Sequence, residues 1–363
     1  FLCDSEWNQL SLITHQHLQY RRVINGIDQA YFEVQAQNPM FNLVDFNFFE
    51  NTYNLIIYRG TSVVFKGEID EVMPADRGRD ASGATTVMDR IGFRASHRIN
   101  RFKNIIATPD SGDAFYKRSF NNVSLGTAVQ TLVQEAIARS NSLLSDVTIG
   151  TIENPVDPAG AEIKFTSDQF LYGETILNWI DYARVIGDAD YWMDENDKFH
   201  FVKKKGIRRP EIMFRLHFGE AGNNLSALDV RSTKLEMYNK IVVFGAGTGI
   251  ERKMYTAEDA SAQSKYGLRE IALPARELDT EAGAEAWGRN LLKQYSQPYR
   301  MIAFTPAGSH IPFEGFELGD EISVSVKWYM FNFLKWLRIT GLETYVDQNN
   351  IESHNYILEE PKV

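Results

Sequence analysis

Asn54-Leu-Ile-Ile-Tyr-Arg59, Gly60-Thr61 and Ser62-Val-Val-Phe-Lys-Gly-Glu-Ile-Asp-Glu-Val72 decide the fold class of this chain. An apolar run meets a two-residue turn signal and continues as a run that alternates through Phe65, Gly67 and Ile69. Period two puts successive side chains on opposite faces of an extended strand, so the pattern predicts a β-hairpin. Short apolar runs of this kind recur from Val23 to Phe102, broken by the polar loop Pro74-Ala-Asp-Arg-Gly-Arg-Asp-Ala-Ser-Gly83 before a strand at Thr85 to Ile91. Residues 1–102 are expected to form an antiparallel β domain.

The character changes after Phe120. Leu125, Ala128, Val129, Leu132, Val133, Ala136 and Ile137 follow the i, i+3, i+4, i+7 rule, and Ser124 stands where a side-chain oxygen can cap the first turn. A second helix is expected near Gly173 to Ile186, with Ile176, Leu177, Ile180 and Ala183 on one face and Gly187 as its stop. Tyr191-Trp-Met193, the turn Asp194-Glu-Asn-Asp197 and Phe199-His-Phe-Val202 read as a hairpin. Residues 103–227 therefore form an α+β insertion module. Residues 228–363 return to β character, with strands at Lys240 to Phe244, Glu270 to Leu273, Met301 to Thr305, Glu321 to Val326, Leu337 to Glu343 and Asn355 to Leu358. One helix at about 280–295 interrupts them, with Ala284, Trp287 and Leu291 on one face. The fold class is mainly β with an α+β insertion: two β-barrel or sandwich domains plus a small α+β module.

The 363 residues correspond to two to three domains at about 150 residues each. Lys plus Arg number 38 against 48 Asp plus Glu, a net charge of −10 that disfavours tight capture of a phosphate backbone. One cysteine, Cys3, forms no internal disulfide, and the sequence holds no Cys/His cluster for structural zinc. No apolar run reaches the ~18–20 residues of a spanning helix, so membrane insertion is not expected. The N-terminus, Phe1-Leu-Cys-Asp-Ser-Glu6, shows no basic segment of a signal peptide.

Candidate chemistry is thin. Ile241-Val-Val-Phe-Gly-Ala-Gly-Thr-Gly249 runs an apolar strand into glycines, as a dinucleotide-binding unit does, yet Glu251-Arg-Lys-Met-Tyr-Thr-Ala-Glu-Asp259 has no apolar stripe for the required helix. A glycine-rich turn at Gly245, Gly247 and Gly249 is the favoured reading; a nucleotide-dependent enzyme is the rival. His15-Gln-His17 lacks a third metal ligand, and Ser309-His310 sits in no nucleophile elbow. Asp188-Ala-Asp-Tyr-Trp-Met-Asp-Glu-Asn-Asp197 concentrates carboxylates but puts Tyr191, Trp192 and Met193 where a calcium loop needs oxygens. The abundant carboxylates and aromatics leave a carbohydrate-binding or hydrolysing β protein as a third class. No catalytic residue, cofactor or metal is expected.

Lys327-Trp-Tyr-Met-Phe-Asn-Phe-Leu-Lys-Trp336 is the most aromatic stretch and is placed at a hairpin tip between two late strands. Alternation would send Trp328 and Met330 into the core, leaving Tyr329, Phe331 and Phe333 as a candidate interface.

The late segments carry a resemblance. Asn239-Lys-Ile-Val-Val-Phe-Gly245, Lys265-Tyr-Gly-Leu-Arg-Glu270, the helix with Ala282, Ala286 and Leu291, and Leu318-Gly-Asp-Glu-Ile-Ser323 resemble the baseplate or tail-tip hub proteins of tailed bacteriophages. Val63-Val-Phe-Lys-Gly-Glu-Ile-Asp70, Asp89-Arg-Ile-Gly-Phe-Arg-Ala-Ser-His-Arg98, and Gly173 to Val202 ending in Asn196-Asp-Lys-Phe-His-Phe201 fit the same family. The resemblance runs over nearly the whole chain after about Tyr20. It implies two tail-tube-like β domains per chain and a homotrimeric ring matched to the sixfold tail tube. A structural hub would close the distal tail and mount a spike or fibre, with the tail tube protein and the tape measure protein as further partners. DNA would pass through its lumen without specific binding, which suits an acidic chain. The implied location is the virion tail tip, after assembly in the host cytoplasm. Larger hubs carry appended lysozyme or peptidase domains; the core architecture uses up this sequence, so no such activity is expected.

Overall fold

The computed structural model describes residues 1–38, 41, 51–74, 90–107, 118–139, 142–156, 160–170, 174–245, 252–275, 281–307, 316–329 and 331–360. Strands dominate it and antiparallel pairing prevails, so the fold is mainly β. Its contacts divide the chain into two units, both assembled from separated stretches.

The first unit comprises Phe1–Asn100, Gly206–Leu228 and Ala303–Pro361. Composition divides the chain linearly at 102 and 227, whereas pairing here joins the two ends of the sequence. The long strand Phe331–Val346 pairs antiparallel with His17–Val23, Leu18 standing opposite Val346. From there the order runs outward through Gln29–Gln35, Arg90–His97, Ser62–Pro74 and Asn54–Arg59 to Leu2–Cys3 and Gln9–Ser11. The Asn54–Arg59/Ser62–Pro74 hairpin forms with the expected turn. Residues 75–89, which include the loop to Gly83 and most of the strand expected from Thr85, lie outside the described residues.

Alternation places Leu18, Tyr20, Phe32, Val34, Leu55, Phe65, Ile69 and Phe93 in one buried cluster, with Phe32 and Phe93 stacked at 4.9 Å. Each such side chain contributes about 1.5–3 kcal/mol by leaving water. A second aromatic group gathers elsewhere in the unit: Phe214 lies 4.4 Å from Phe304, and Tyr356 lies 5.3 Å from Phe304 and 5.2 Å from Phe316.

Arg208–His217 runs parallel to Glu321–Trp328, which pairs antiparallel with Phe331–Val346. The start of the parallel pair is packed backbone on backbone. Gly206 has φ +84°, and a Cβ there would lie 2.1 Å from the Gly319 carbonyl carbon, so only glycine fits.

The second unit holds Arg101–Lys205 and Asp229–Ile302. The helix Leu125–Ile137 buries Leu125, Ala128, Val129, Leu132, Val133 and Ala136, as the periodicity requires. Ser124 does not cap it through its side chain; the hydroxyl meets Glu162 and Lys164 instead. The helix Ile176–Gly187 starts at Thr175, whose side chain accepts from the Asn178 N–H at 3.3 Å. Its left-handed stop is Asp188 (φ 47°), not Gly187. Gly187 remains the last helical residue because a Cβ would meet Pro155 at 2.7 Å and Leu125 at 2.8 Å.

Asp190–Met193 and Lys198–Val202 form the expected hairpin, joined in parallel by Thr148–Ile152. Lys240–Phe244 is flanked by Met254–Glu258, antiparallel, and Glu270–Pro274, parallel. The strand Met254–Glu258 and the short helix Ala260–Tyr266 beside Lys240–Phe244 go unseen in the sequence, as do the strands Arg118–Ser124, Thr148–Ile152 and Lys164–Phe170 elsewhere in the unit. Only Ala257 of Met254–Glu258 and Ala262 of the helix are buried, so neither of these two elements carries an apolar period. The helix Glu281–Tyr295 buries Ala284, Trp287 and Leu291, and Asn290 donates to the Val185 and Ile186 carbonyls at 3.1 and 2.6 Å.

Candidate functional site: the aromatic hairpin tip

The register Trp328↔Phe331 closes the Glu321–Trp328/Phe331–Val346 hairpin with a two-residue turn, Tyr329 and Met330, of which Met330 lies outside the described residues. Tyr329 takes φ +49°, a conformation that costs a non-glycine residue about 1–2 kcal/mol, and its side chain is 80% exposed. The two-residue turn itself demands a positive φ at this position, so the backbone strain belongs to the hairpin; what folding of this unit does not explain is an aromatic side chain left exposed there.

The register corrects one expectation. Residues directly opposite in an antiparallel pair share a face, so Trp328 and Phe331 point the same way, with ring centroids 6.4 Å apart, and Val326 lies with Phe333. Trp328, Phe331 and Phe333 thus extend the buried row Ile322, Val324 and Val326 toward the tip, where burial fades: Trp328 is 36% exposed and both phenylalanines are half-buried. The simple alternation missed this because the turn holds two residues and resets the phase.

Phe218 completes the tip, and sequence reasoning did not single it out. Its backbone N–H donates to the Lys327 carbonyl at 2.9 Å, extending the parallel pair by one residue. Its ring, 71% exposed, sits 5.6 Å from that of Tyr329, which is itself 5.6 Å from Trp328. No local signal marks Phe218; only the long-range pairing brings it here.

Charges ring the tip. Glu220 Oε2 contacts His217 Nδ1 at 2.8 Å and the Arg215 guanidinium, while Lys327 Nζ lies 3.7 Å from Oε1. The hydrogen bonds from His217 and Arg215 pull the Glu220 carboxyl down to about 2. His217, 6% exposed, also meets Ser325 Oγ through Nε2 at 2.8 Å.

The other sequence candidates lie apart from the tip. After Phe244 the chain returns as the antiparallel strand Met254–Glu258, so Gly245 leaves a strand toward a strand and not toward the helix a dinucleotide site needs. Gly247 and Gly249 lie outside the described residues, as do Ser309 and His310. Asp194 accepts the Asn196 and Lys198 N–H groups, both at 2.9 Å, and so forms the turn of the hairpin. Among the described residues no group of three His, Cys, Asp or Glu is placed to hold a metal, and no helix is long and apolar enough to cross a membrane.

No family model and no curated protein sequence matches the chain. Solved structures do. The tail protein from Neisseria meningitidis MC58 aligns with TM-score 0.62 and 10% identity over 99% of this chain and 95% of its own. The 43 kDa tail protein of prophage MuSo2 from Shewanella oneidensis aligns with TM-score 0.63 and 14% identity over 96% and 94%. An E. coli component of the type VI secretion system, described as similar to the T4 tail proteins gp27 and gp5, gives TM-score 0.52 and 11% identity over 100% of this chain and 77% of its own. The chain therefore has the fold of phage tail proteins of this type.

Proposed function

We propose that this protein is a structural hub of a phage tail tip or baseplate, acting as a homotrimeric ring that closes the distal tail tube and mounts a spike or fibre. One observation carries the reading: a tail protein and a prophage tail protein align over nearly their whole length as well as nearly all of this chain, so the likeness is to a complete architecture and not to a common module. The two tail-tube-like β domains of each protomer would alternate around a lumen, six in all.

The net charge of −10 supports a channel through which DNA slides, since each lumenal cation would add a phosphate contact. Tyr329, with Phe331 and Phe333 behind it, is the surface assigned to a neighbouring protomer or to the adjoining tail protein. Exposed aromatics are the side chains that most often anchor such contacts.

Light scattering coupled to gel filtration, together with the symmetry of a reconstructed particle, tests the proposal. Three protomers per ring are expected, with Asp and Glu outnumbering Lys and Arg along the channel. A strictly monomeric protein with no place in a ring would overturn it. Calorimetry with NAD, ATP and oligosaccharides addresses the two enzymatic or binding alternatives, and no heat of binding is expected.

A further inference from the structure

We propose that Ser325, His217 and Glu220 form a nucleophilic serine site for an acyl ester, an activity beside the structural role and independent of it. The three residues belong to no sequence motif: Ser325 and His217 are 108 positions apart and meet only because Arg208–His217 and Glu321–Trp328 pair in parallel. In that register Arg215 stands opposite Ser325 and His217 opposite Lys327, so all four side chains leave the same face of the sheet.

The geometry is that of a nucleophile, a base and an orienting acid. His217 Nε2 lies 2.8 Å from Ser325 Oγ and Nδ1 lies 2.8 Å from Glu220 Oε2, both within the range of a working relay. The ring is held by its own backbone: the His217 N–H donates to Asn223 Oδ1 at 2.7 Å, Asn223 Nδ2 donates to the His217 carbonyl at 2.9 Å, and the Glu220 N–H donates to the same carbonyl at 3.2 Å. His217 is buried and Ser325 half-buried, so the base is more shielded than the residue that carries the nucleophile.

Nδ1 has two competing partners: unprotonated it accepts from Arg215 Nε at 2.9 Å, and protonated it donates to Glu220 Oε2, with Arg215 then holding Glu220 through its guanidinium end alone; the proposed reaction uses the second arrangement. A proton on Nδ1 satisfies Glu220, which stays anionic because Arg215 and Lys327 also contact it, and that tautomer leaves the Nε2 lone pair facing Ser325. Substrate class follows from the surroundings. Leu334, directly opposite Ser325 and 67% exposed, and Met213, 51% exposed on the same face, offer an apolar bed for a short acyl chain. Lys327, two residues along the same face, is the adjacent cation for a developing oxyanion.

In the step proposed, Ser325 Oγ bonds to the ester carbonyl carbon while its proton passes to His217 Nε2. The tetrahedral adduct collapses, the C–O bond to the alcohol breaks, and the alcohol leaves with that proton. Water then attacks the acyl-serine with the same base, releasing the acid and restoring Ser325. Ester and water give acid and alcohol, with no oxidant or metal required.

The test uses the full chain with a biotinylated fluorophosphonate and with p-nitrophenyl butyrate. One adduct per chain is expected, mapped by mass spectrometry to Ser325 and absent after heat unfolding. Ser325→Ala should abolish it, and His217→Asn should slow labelling by about 100-fold or more, the contribution of a general base. Glu220→Gln should slow it by about 10-fold while leaving circular dichroism unchanged. Because Ser325→Ala removes one exposed-side oxygen, its fold is readily checked, and the proposal stays testable if the histidine variant misfolds. No Ser325 adduct on the folded protein, or butyrate hydrolysis undiminished in Ser325→Ala, overturns the proposal; neither result bears on ring formation.

Discussion

Ile207 and Asp320, 113 positions apart, are joined by a 2.8 Å hydrogen bond from the Ile207 backbone N–H to Asp320 Oδ1. The second carboxylate oxygen accepts from Arg209 Nε at 2.8 Å and from the Glu317 N–H at 3.1 Å. Asp320 is 2% exposed, so one carboxylate fastens the start of the parallel pair that later delivers Phe218 to the hairpin tip. Asp320→Ala would leave the Ile207 and Glu317 donors without this partner, and an unmet buried N–H costs about 1–3 kcal/mol. Urea titration should show a lowered midpoint, with Asp320→Asn losing less because one acceptor oxygen remains. An unchanged midpoint in both would refute the clamp.

Gly206 sits one residue before this bond. Gly206→Ala combines a positive φ with a Cβ 2.1 Å from backbone, and backbone cannot swing aside as a flexible side chain does. A loss of at least about 2 kcal/mol is expected. Gly219, also at positive φ but with open space around it, is the control: Gly219→Ala should cost less, the difference reporting the packing contribution alone.

Acid should weaken the fold through His354. Burial, with a smaller effect of Arg59, pushes this imidazole down to about 4. Thr344 Oγ1 stands 3.1 Å from Nδ1 and Glu352 Oε2 3.4 Å from Nε2, the latter also paired with Arg59 at 2.9 Å. The unfolded chain takes up the proton near pH 6.5, earlier than the native one. Stability from this site is therefore whole above about 6.5 and falls as pH drops toward 4, by up to on the order of 3 kcal/mol. Thermal melts at pH 7 and 4.5 should separate wild type from His354→Gln, the variant losing less over that interval. Equal losses would remove His354 from the account.

Legibility in the sequence followed local order. The helix at Leu125 and the hairpin at Asn54 could be read because their own apolar periods match the face they bury. Met254–Glu258 could not, since a half-exposed edge strand has no such period. Gly187 looked like a helix stop, whereas packing against Pro155 set its identity and Asp188 made the left-handed turn. Of the candidate site, Tyr329 was visible as an aromatic at a turn. Phe218 and the contact between His217 and Ser325 were not, because both depend on a parallel pairing between distant stretches that no local pattern encodes.

The tip itself can be tested more cleanly than by removing Phe331 and Phe333. Phe333 shares a face with Val326, which is fully buried, so polar substitution there mixes lost packing with lost association. Tyr329 has no such double role: it is 80% exposed and held at φ +49°. Tyr329→Gly relieves about 1–2 kcal/mol of backbone strain, against the extra chain freedom of glycine, worth about 0.5–1 kcal/mol. The folded protomer should therefore melt no lower than wild type. If the ring or the tail contact uses this ring system, the same variant should weaken association by about tenfold or more, near 1.4 kcal/mol, as loss of an aromatic anchor does. Light scattering over a dilution series reads that shift directly. A protomer that melts as wild type and assembles as wild type would remove Tyr329 from the association surface.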